Sequence, residues 1–451
     1  MSRFVDIGSA AIAGLGDYSR GASTFFGDNG GTYTFTVPIG VTEIFVNVFG
    51  AGGRGCQYNN GQYFNTGGGG GGYAGGAMNV SAGQTFTVSC GKGGTLLGGQ
   101  TVTNGEDTTF SNSEGTVILT GGGGKGGTTG SSAAQSEWLG GLGGVGTINA
   151  PALLVSSFAA SGGRGGNMGI SSASTVYNMQ TGGGASGSLS GDGGRGGDIF
   201  CENTSNSQWS GTGGGGWAGG NGGDILTGPG PNSSTYFSTG GGGYINSGGS
   251  IFSNKASDDL LSSGGSPYQA GQAWEQSVIF NPYMQQTYTA AAGTGIDQVS
   301  QVTPSERSSW WSYMTGTALT GRTSSLGWTT NGDGCGGWGL SATSSFISMR
   351  AHMVPGFGGG MGGVGYYNAE GAMSQAWAQT GRGRMVGGGG GANQYMNAAM
   401  ANSFTYAVNK GGDHAANVAA LGRVPFGGGS GGTRNTNGFQ GGDGFVVVCY
   451  K

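Results

Sequence analysis

Two aspartates occupy a sequence pattern that is typical of calcium binding. Residues 193–200 (GGRGGDIF) and 219–226 (GGNGGDIL) both fit the nonapeptide GGxGxDxUx, which places Asp198 and Asp224 at ligand positions. Calcium takes about 6 to 8 oxygen ligands, and proteins that use this pattern supply them from tandem copies. The two copies here are not in tandem, so each site would be incomplete. We keep Asp198 and Asp224 as weak calcium candidates and favour the alternative that they cap glycine-rich segments at loop entrances.

The other patterns that could carry chemistry are incomplete. Residues 50–55 (GAGGRG) fit the dinucleotide-binding GxGxxG pattern, but no helix signal follows them. Lys92 and Lys125 lie in glycine runs, and each is followed by glycine where a phosphate-binding loop needs Ser or Thr. The two histidines, His352 and His414, have no nucleophile or metal-ligand spacing around them. We therefore expect a protein that is not an enzyme and has no cofactor.

The cysteines are odd in number and lack the C-x-x-C spacing of a zinc or redox site. We interpret them as reduced, buried thiols. Disulfides follow the redox compartment, so a bridge between Cys56 and Cys90 stays open for a protein that works outside a cell. The five are Cys56, Cys90, Cys201, Cys335 and Cys449.

Glycine supplies 112 of the 451 residues, and charged residues make up 8% where about 25% is usual. Chains this rich in glycine and serine are commonly flexible and unfolded. An aromatic content of 10% and a net charge of only -4 oppose that interpretation. The composition therefore predicts an ordered protein that does not depend on an ordinary hydrophobic core.

The sequence also lacks the signals for nucleic-acid binding, membrane insertion and export. No block of basic residues points to nucleic acid. No stretch approaches the roughly 18 apolar residues of a membrane span, so we expect no membrane insertion. Residues 1–30 lack the basic start and apolar stretch of a signal peptide. We expect a chain made in a cytoplasm without export.

Strand signals come from both ends of the chain. Thr32–Val37 alternates threonine with larger side chains, and Val41–Phe49 is rich in β-branched and aromatic residues. If the last strand pairs with the early ones, the sheet closes the protein into one domain and the middle of the chain becomes an insertion. The further predicted strands are Ala77–Val80, Gln84–Cys90, Thr116–Leu119 and Phe445–Tyr450.

Glycine runs separate these strands, and many begin with threonine, as TGGGG does at Thr66, Thr120, Thr212 and Thr239. Polyglycine gains little from an α-helix or a strand. The remaining regular choice is the left-handed threefold helix, which has no internal hydrogen bonds and must bond to neighbouring helices. We therefore predict a bundle of polyglycine II helices. Helix signals in the spacers predict short helices over residues 303–314, 393–407 and 413–422.

Four stretches of the sequence together resemble the glycine-rich domain of bacteriophage tail fibres and tail-tip adhesins. They are TVPIGVTEIFVNVFGAGG at 36–53, GGGGGGYAGG at 67–76, VSAGQTFTVSCGKGG at 80–94 and GGDGFVVVCY at 441–450. The resemblance covers residues 32–130 and 427–450 well and the middle only through its glycine runs. It implies a mainly β or irregular fold, in which a small β-sandwich scaffold at the chain ends leads into polyglycine II helices with inserted loops.

The resemblance also sets the expected organisation. Residues 1–31 would form an attachment segment, which is shorter than the attachment domain of those adhesins. Residues 32–451 would form one glycine-rich domain. Within it, residues 32–130 and 427–450 would be the β scaffold, and residues 131–426 the loop-bearing polyglycine insertion.

Aromatic residues in the glycine-poor stretch 250–355 are the candidate recognition residues. Tryptophan and tyrosine dominate binding hot spots because they give large contact area at little rotamer cost. A small core under the loops is the open alternative for each of them. The candidates are Trp310, Trp311, Tyr313, Trp328, Trp338 and Phe346.

Three function classes follow. The first is a virion surface protein, a tail-fibre or adhesin module whose loops bind a host cell-surface protein or glycan. The second is a structural virion component, such as a capsid decoration or fibre-base protein, that contacts other virion proteins through residues 1–31. The third is an ice-binding protein, which the tryptophan-rich spacers disfavour. Whether the chain forms a homo-oligomer stays open.

Overall fold

The computed structural model describes part of the chain, and that part is mainly β, as predicted. Its only regular helix is a 3-10 turn at Pro151–Leu153. The predicted helices at residues 303–314, 393–407 and 413–422 lie outside the described residues. The described residues are 5–6, 23–26, 30–56, 63–97, 101–130, 137–170, 177–189, 191–201, 208–212, 214–216, 219–227, 235–238, 251–253, 260–262, 340–342, 364–366 and 441–451.

Two antiparallel sheets contain the longer strands, which we number in chain order. In spatial order, sheet A consists of β1 (Val5–Asp6), β2 (Ser23–Phe26), β26 (Phe445–Tyr450), β4 (Glu43–Phe49), β6 (Tyr73–Asn79) and β15 (Ser156–Ala160). Sheet B consists of β14 (Gly146–Ile148), β11 (Val117–Gly121), β10 (Thr108–Asn112), β7 (Thr85–Cys90) and β3 (Gly31–Thr36).

Sheets A and B share one hydrophobic core. Ile44, Val46 and Val48 alternate along β4 and are fully buried. The core also takes aromatic rings from sheet B, and Phe35 of β3 stacks on Tyr450 of β26 with ring centroids 6.0 Å apart. These strands form because β-branched and aromatic side chains pack well on a half-buried pleated surface.

The last strand of the chain, β26, lies between β2 and β4, with Phe445 opposite Phe49 and Tyr450 opposite Ile44. The prediction that the C-terminal strand pairs with early strands is therefore confirmed. Strand β2 belongs to the stretch 1–31 that the sequence assigned to attachment, yet Phe26 lies in the core. Strands β14 and β15 likewise come from the stretch assigned to the insertion.

Two further sheets consist of short strands. Sheet C consists of β12 (Thr129–Gly130), β5 (Tyr63–Asn65), β17 (Tyr177–Gln180), β19 (Gln208–Gly211), β21 (Thr235–Ser238) and β23 (Leu260–Ser262). Sheet D consists of β13 (Glu137–Trp138), β16 (Met168–Ile170), β18 (Ile199–Cys201), β20 (Ile225–Thr227) and β22 (Ile251–Ser253). Two isolated pairs remain, β8 (Leu96–Leu97) with β9 (Thr101–Val102), and β24 (Leu340–Ala342) with β25 (Val364–Tyr366).

Glycine runs connect the short-strand sheets to the large core, and they bond sideways to one another. The run at residues 66–72 is buried throughout and is the clearest case. Its N–H and carbonyl groups bond at 2.8 to 3.0 Å to five neighbouring runs. In the described residues, no backbone bond joins two members of this run. The five neighbours are residues 50–56, 121–128, 139–146, 161–167 and 181–187.

Glycine is required in these runs because the backbones lie so close together. A Cβ built on Gly67 would lie 2.1 Å from the Gly182 carbonyl oxygen, and one on Gly163 would lie 1.9 Å from that of Gly194. Ordinary contact begins near 3.4 Å. Glycine is therefore required because a neighbouring run of the same chain lies so close, and not because the backbone angle is unusual.

Exposure repeats every third residue along the runs that reach the surface, such as 139–146, which we call the outer run. In the run 139–146, Leu139, Leu142 and Val145 are exposed, and the two glycines between each pair are buried or half-buried. Arg164 and Asn167 of the next run follow the same spacing. This period differs from the period of 2 of a strand and from the 3.6 of an α-helix.

Candidate functional site

Apart from one antiparallel edge strand in each, sheets C and D are ladders of parallel strands in register. In sheet D, Met168, Ile199, Ile225 and Ile251 are partners on successive strands. In sheet C, β5, β17, β19, β21 and β23 are likewise parallel. The chain leaves each of β16, β18, β20 and β22 and enters the next strand of sheet C after six or seven residues. Because parallel strands in register point the same way, all four connections begin and end at one end of the molecule.

Two more connections reach the same end. Strand β5 is parallel to β17, so the segment that leads into β5 also finishes there. Strands β12 and β13 are antiparallel to β5 and β16, so the segment that joins them starts and finishes there. We call this end the loop end. Its six connecting segments are residues 57–62, 131–136, 171–176, 202–207, 228–234 and 254–259.

At the opposite end of the ladders, the glycine runs that follow β17 and β19 reverse direction in tight turns. The run that follows β17 turns back between Ser188 and Gly191, which form an isolated bridge, and Gly191 has φ +134°. The run that follows β19 turns back near Gly219, which has φ +94°. The N–H of Gly216 bonds to the Gly220 carbonyl at 2.6 Å across this turn. In the described part of the two ladders, six connections therefore start or finish at the loop end, and two tight turns lie at the other end.

A second, small core lies beneath the loop end. Trp138, Met168, Ile199 and Ile225 are partners along sheet D, and each is about 1% exposed. Met179 of sheet C is fully buried as well. Burial of these apolar side chains stabilises the short strands that carry them.

The carboxylates of the two calcium candidates, Asp198 and Asp224, are each paired with an arginine in this structure. The Asp198 carboxylate accepts two hydrogen bonds from Arg164, at 2.7 and 2.8 Å, and the Asp224 carboxylate accepts two from Arg195, at 2.6 and 2.8 Å. Each carboxylate also accepts a backbone N–H, from Asn167 at 2.6 Å and from Asp198 at 2.8 Å. The aspartates therefore join successive runs at the entrance to β18 and β20. Paired hydrogen bonds between guanidinium and carboxylate are strong and fix orientation.

No group of three or more His, Cys, Asp or Glu side chains that could hold a metal occurs in the described part of the chain. Within the same residues, no helix is long and apolar enough to cross a membrane.

Cys56, Cys90 and Cys449 are buried, and none of the three forms a disulfide. Burial is the main cause that raises the pKa of the Cys90 thiol. Arg54 is also buried, near Cys56, and desolvation lowers its pKa to about 10. The bridge left open between Cys56 and Cys90 is not formed in this structure.

One stretch of the chain exposes apolar side chains and contains no charged residue, and we call its surface the apolar side. The sequence has no Asp, Glu, Lys, Arg or His from residue 138 to residue 163. This side contains the edge strands β14 and β15 and the run 139–146. Six of its side chains are 40 to 65% exposed, namely Leu139, Leu142, Val145, Leu153, Val155 and Phe158. Exposed apolar patches of this kind mark interaction surfaces.

All six aromatic recognition candidates lie outside the described residues: Trp310, Trp311, Tyr313, Trp328, Trp338 and Phe346. The nearest described strand is β24, which with β25 lies against β17, β19 and β21 of sheet C. Sequence reasoning missed the loop end itself. The signal that could have found it is the recurrence of a T-G-G run soon after four of the six connections, at Thr66, Thr181, Thr212 and Thr239.

No family model matches this chain, and no curated protein sequence matches it either.

Proposed function

We propose that this chain is a virion surface protein, a tail-fibre or adhesin module whose loop end binds a receptor on the host cell. The observation that carries the proposal is the collection of six connections at one end of two in-register ladders, with tight turns at the other end. Binding residues commonly lie on loops that a rigid scaffold positions. The family resemblance of the sequence supports the same function.

The scaffold in this proposal is a bundle of polyglycine II helices next to a β-sandwich formed by sheets A and B. Three observations support it. The runs bond to neighbours and not internally, an added Cβ would strike neighbouring backbone, and exposure repeats every third residue. A left-handed helix with three residues per turn and no internal hydrogen bonds has these properties.

The sequences of the six connections suit recognition by hydrogen bonding. They are QYNNGQ, SSAAQS, SSASTV, ENTSNS, GPGPNSS and NKASDD in chain order. Serine, asparagine, glycine and tyrosine are the residues that antibody loops use, because they combine adaptable hydrogen bonds with compact contact area. Only the segments 202–207 and 254–259 contain charged residues, so the partner is expected to be a neutral surface, either protein or glycan.

The test is binding of the full chain to cells. Fluorescently labelled protein is incubated with a panel of bacterial strains and measured by flow cytometry. A variant with Glu202→Ala, Asn203→Ala and Asn206→Ala changes one loop-end connection. Glu114→Ala is the matched control, because Glu114 lies in the exposed turn between β10 and β11 at the opposite end. We expect strain-specific staining that weakens in the triple variant and persists in the control.

Staining of no strain in the panel would refute the proposal. If the triple variant stains as strongly as wild type, the corresponding substitutions are made in each of the other five connections. Unchanged staining by all six variants would also refute the proposal.

The second candidate function is a structural virion component, which the apolar side favours. In this case the exposed side chains of that side pack against another subunit. Leu142→Ser and Phe158→Ser, made together, would then prevent assembly and leave the staining of cells unchanged. Light scattering of the purified chain and incorporation into particles measure the first effect, and flow cytometry measures the second.

A further inference from the structure

The threonines that begin the glycine runs after sheet C are fully buried. Thr66 follows β5, Thr181 follows β17 and Thr212 follows β19, and none of the three is accessible to solvent. Each therefore lies at the border between a short strand of the loop end and the glycine bundle. A buried hydroxyl needs hydrogen-bond partners, so the partners show what it does.

Each of the later two hydroxyls closes the base of one connection. Thr181 Oγ1 donates to the Gly166 carbonyl at 2.6 Å, and Thr212 Oγ1 donates to the Gly197 carbonyl at 2.6 Å. Gly166 comes shortly before β16, and Thr181 comes directly after β17. The bond thus ties together the two ends of the unit that consists of strand, connection 171–176 and strand. Thr212 does the same for the unit around connection 202–207.

The same hydroxyls join successive units. The Gly67 N–H donates to Thr181 Oγ1 at 3.0 Å, and the Gly182 N–H donates to Thr212 Oγ1 at 3.0 Å. Each donor is the glycine that follows the preceding threonine. Thr66 shows the related arrangement at the first unit, because its Oγ1 lies 2.8 Å from the Thr128 carbonyl and 3.0 Å from the Leu139 carbonyl, on either side of connection 131–136.

The surrounding glycines leave room for these side chains. A Cβ on Gly166 would lie 2.8 Å from the Cβ of Thr181, and a Cβ on Gly197 would lie 2.9 Å from that of Thr212. We call each of these hydrogen-bonded sites at the base of a connection a neck. The two necks have the same geometry, and 15 residues separate the threonine from its carbonyl partner in each.

We propose that Thr181 and Thr212 are positioning residues of the loop end: each hydroxyl fixes the base of its own connection and its spacing from the preceding unit. The inference rests on the proposed function for its biological meaning. Its test does not, because the position of a connection can be measured without a receptor.

The test is hydrogen–deuterium exchange of the full chain, read by mass spectrometry, for Thr181→Val and Thr181→Ser. Valine keeps the shape of threonine and removes the hydroxyl, whereas serine keeps the hydroxyl. Loss of a hydrogen bond to a buried partner corresponds to about a tenfold change in an opening equilibrium. We expect roughly tenfold faster exchange over residues 168–180 in the valine variant, wild-type exchange in the serine variant, and no change in β7 of the large core.

Unchanged exchange in Thr181→Val would overturn the proposal, and so would equal acceleration by valine and serine. If Thr181→Val also exposes β7, Thr212→Val is measured at residues 199–211. Exposure of β7 by that variant too would mean that the threonines hold the whole fold and not the connections, and the proposal would be wrong. Failure of the proposed function is separate, because it would appear as absent cell staining with this exchange pattern intact.

Discussion

One triplet of the outer run tests the threefold arrangement at single-residue resolution. Gly141, Leu142 and Gly143 are consecutive, yet the structure assigns them opposite tolerances. A Cβ on Gly141 would lie 1.9 Å from the Lys125 carbonyl oxygen, and one on Gly143 would lie 1.8 Å from the Gly162 oxygen. Leu142 is 65% exposed. We therefore predict that Gly141→Ala and Gly143→Ala destabilise the protein and that Leu142→Ala does not.

The magnitude follows from the bonds that a displaced neighbour would lose. The Gly141 N–H bonds to the Gly67 carbonyl at 2.9 Å, and the Lys125 N–H bonds to the Leu142 carbonyl at 2.7 Å. Leaving a buried backbone group unpaired costs about 1–3 kcal/mol, so two lost bonds cost about 2–6 kcal/mol. Alanine returns at most about 1 kcal/mol by restricting the unfolded chain. The net loss is a large part of a typical free energy of unfolding of about 5–15 kcal/mol.

Urea denaturation, followed by tryptophan fluorescence and circular dichroism, measures these differences. Leu142→Ala should stay within about 0.5 kcal/mol of wild type, as exposed substitutions usually do. The reasoning would be refuted if Gly141→Ala were as stable as Leu142→Ala. A large loss in all three variants would also contradict it, because a threefold helix at the edge of a bundle leaves one residue in three free.

Three further predictions concern charge. Asp198→Asn should lower stability by about 1 kcal/mol, because the ion pairs with Arg164 and Arg195 are partly exposed, and the loss should shrink in high salt. Calcium should leave the melting temperature unchanged, and a calcium-dependent rise that Asp198→Asn abolished would restore the metal interpretation. Burial raises the pKa of the Cys90 thiol and of the Tyr73 phenol, so above about pH 8.5 the unfolded chain releases protons that the folded chain keeps, and stability should fall from pH 8.5 to pH 10. Urea midpoints at pH 7 and pH 10 test this, with Cys90→Ala expected to weaken the decline; equal midpoints would contradict it.

Strands β3 and β7 of the large core were predictable because their side chains alternate, and β4 and β26 because they are rich in β-branched and aromatic residues. Strands β2, β10, β14 and β15 were not predicted. The predicted Thr32–Val37 corresponds to β3, and Gln84–Cys90 to β7, each within one residue at either end. The predicted Ala77–Val80 recovered only the end of β6, because that strand begins within Tyr73-Ala-Gly-Gly, which reads as part of a glycine run. There the partner strands β4 and β15 decide the conformation.

The short-strand ladders were not predictable from alternation, because three residues are too few to show a period of 2. What the sequence does contain is a triplet pattern, x-G-G, in LGGLGGVG from residue 139, SGGRGGN from residue 161 and DGGRGGD from residue 192. Its period matches the observed exposure. The pairing of Arg164 with Asp198 could not be read from the sequence, because it depends on which runs are neighbours.

The hydrogen-bonded glycine runs separate the source of stability from the residues of the loop end. Bonds between runs use backbone N–H and carbonyl groups, and these are the same whatever side chains the connections carry. A substitution in a connection therefore removes no donor or acceptor of the scaffold. The requirement falls instead on the glycines, since a single Cβ there lies within about 2 Å of a neighbouring carbonyl, and on the buried hydroxyls of Thr181 and Thr212 at the necks. Sequence variation should accordingly be tolerated in the connections and rejected one or two residues beyond the strands that flank them.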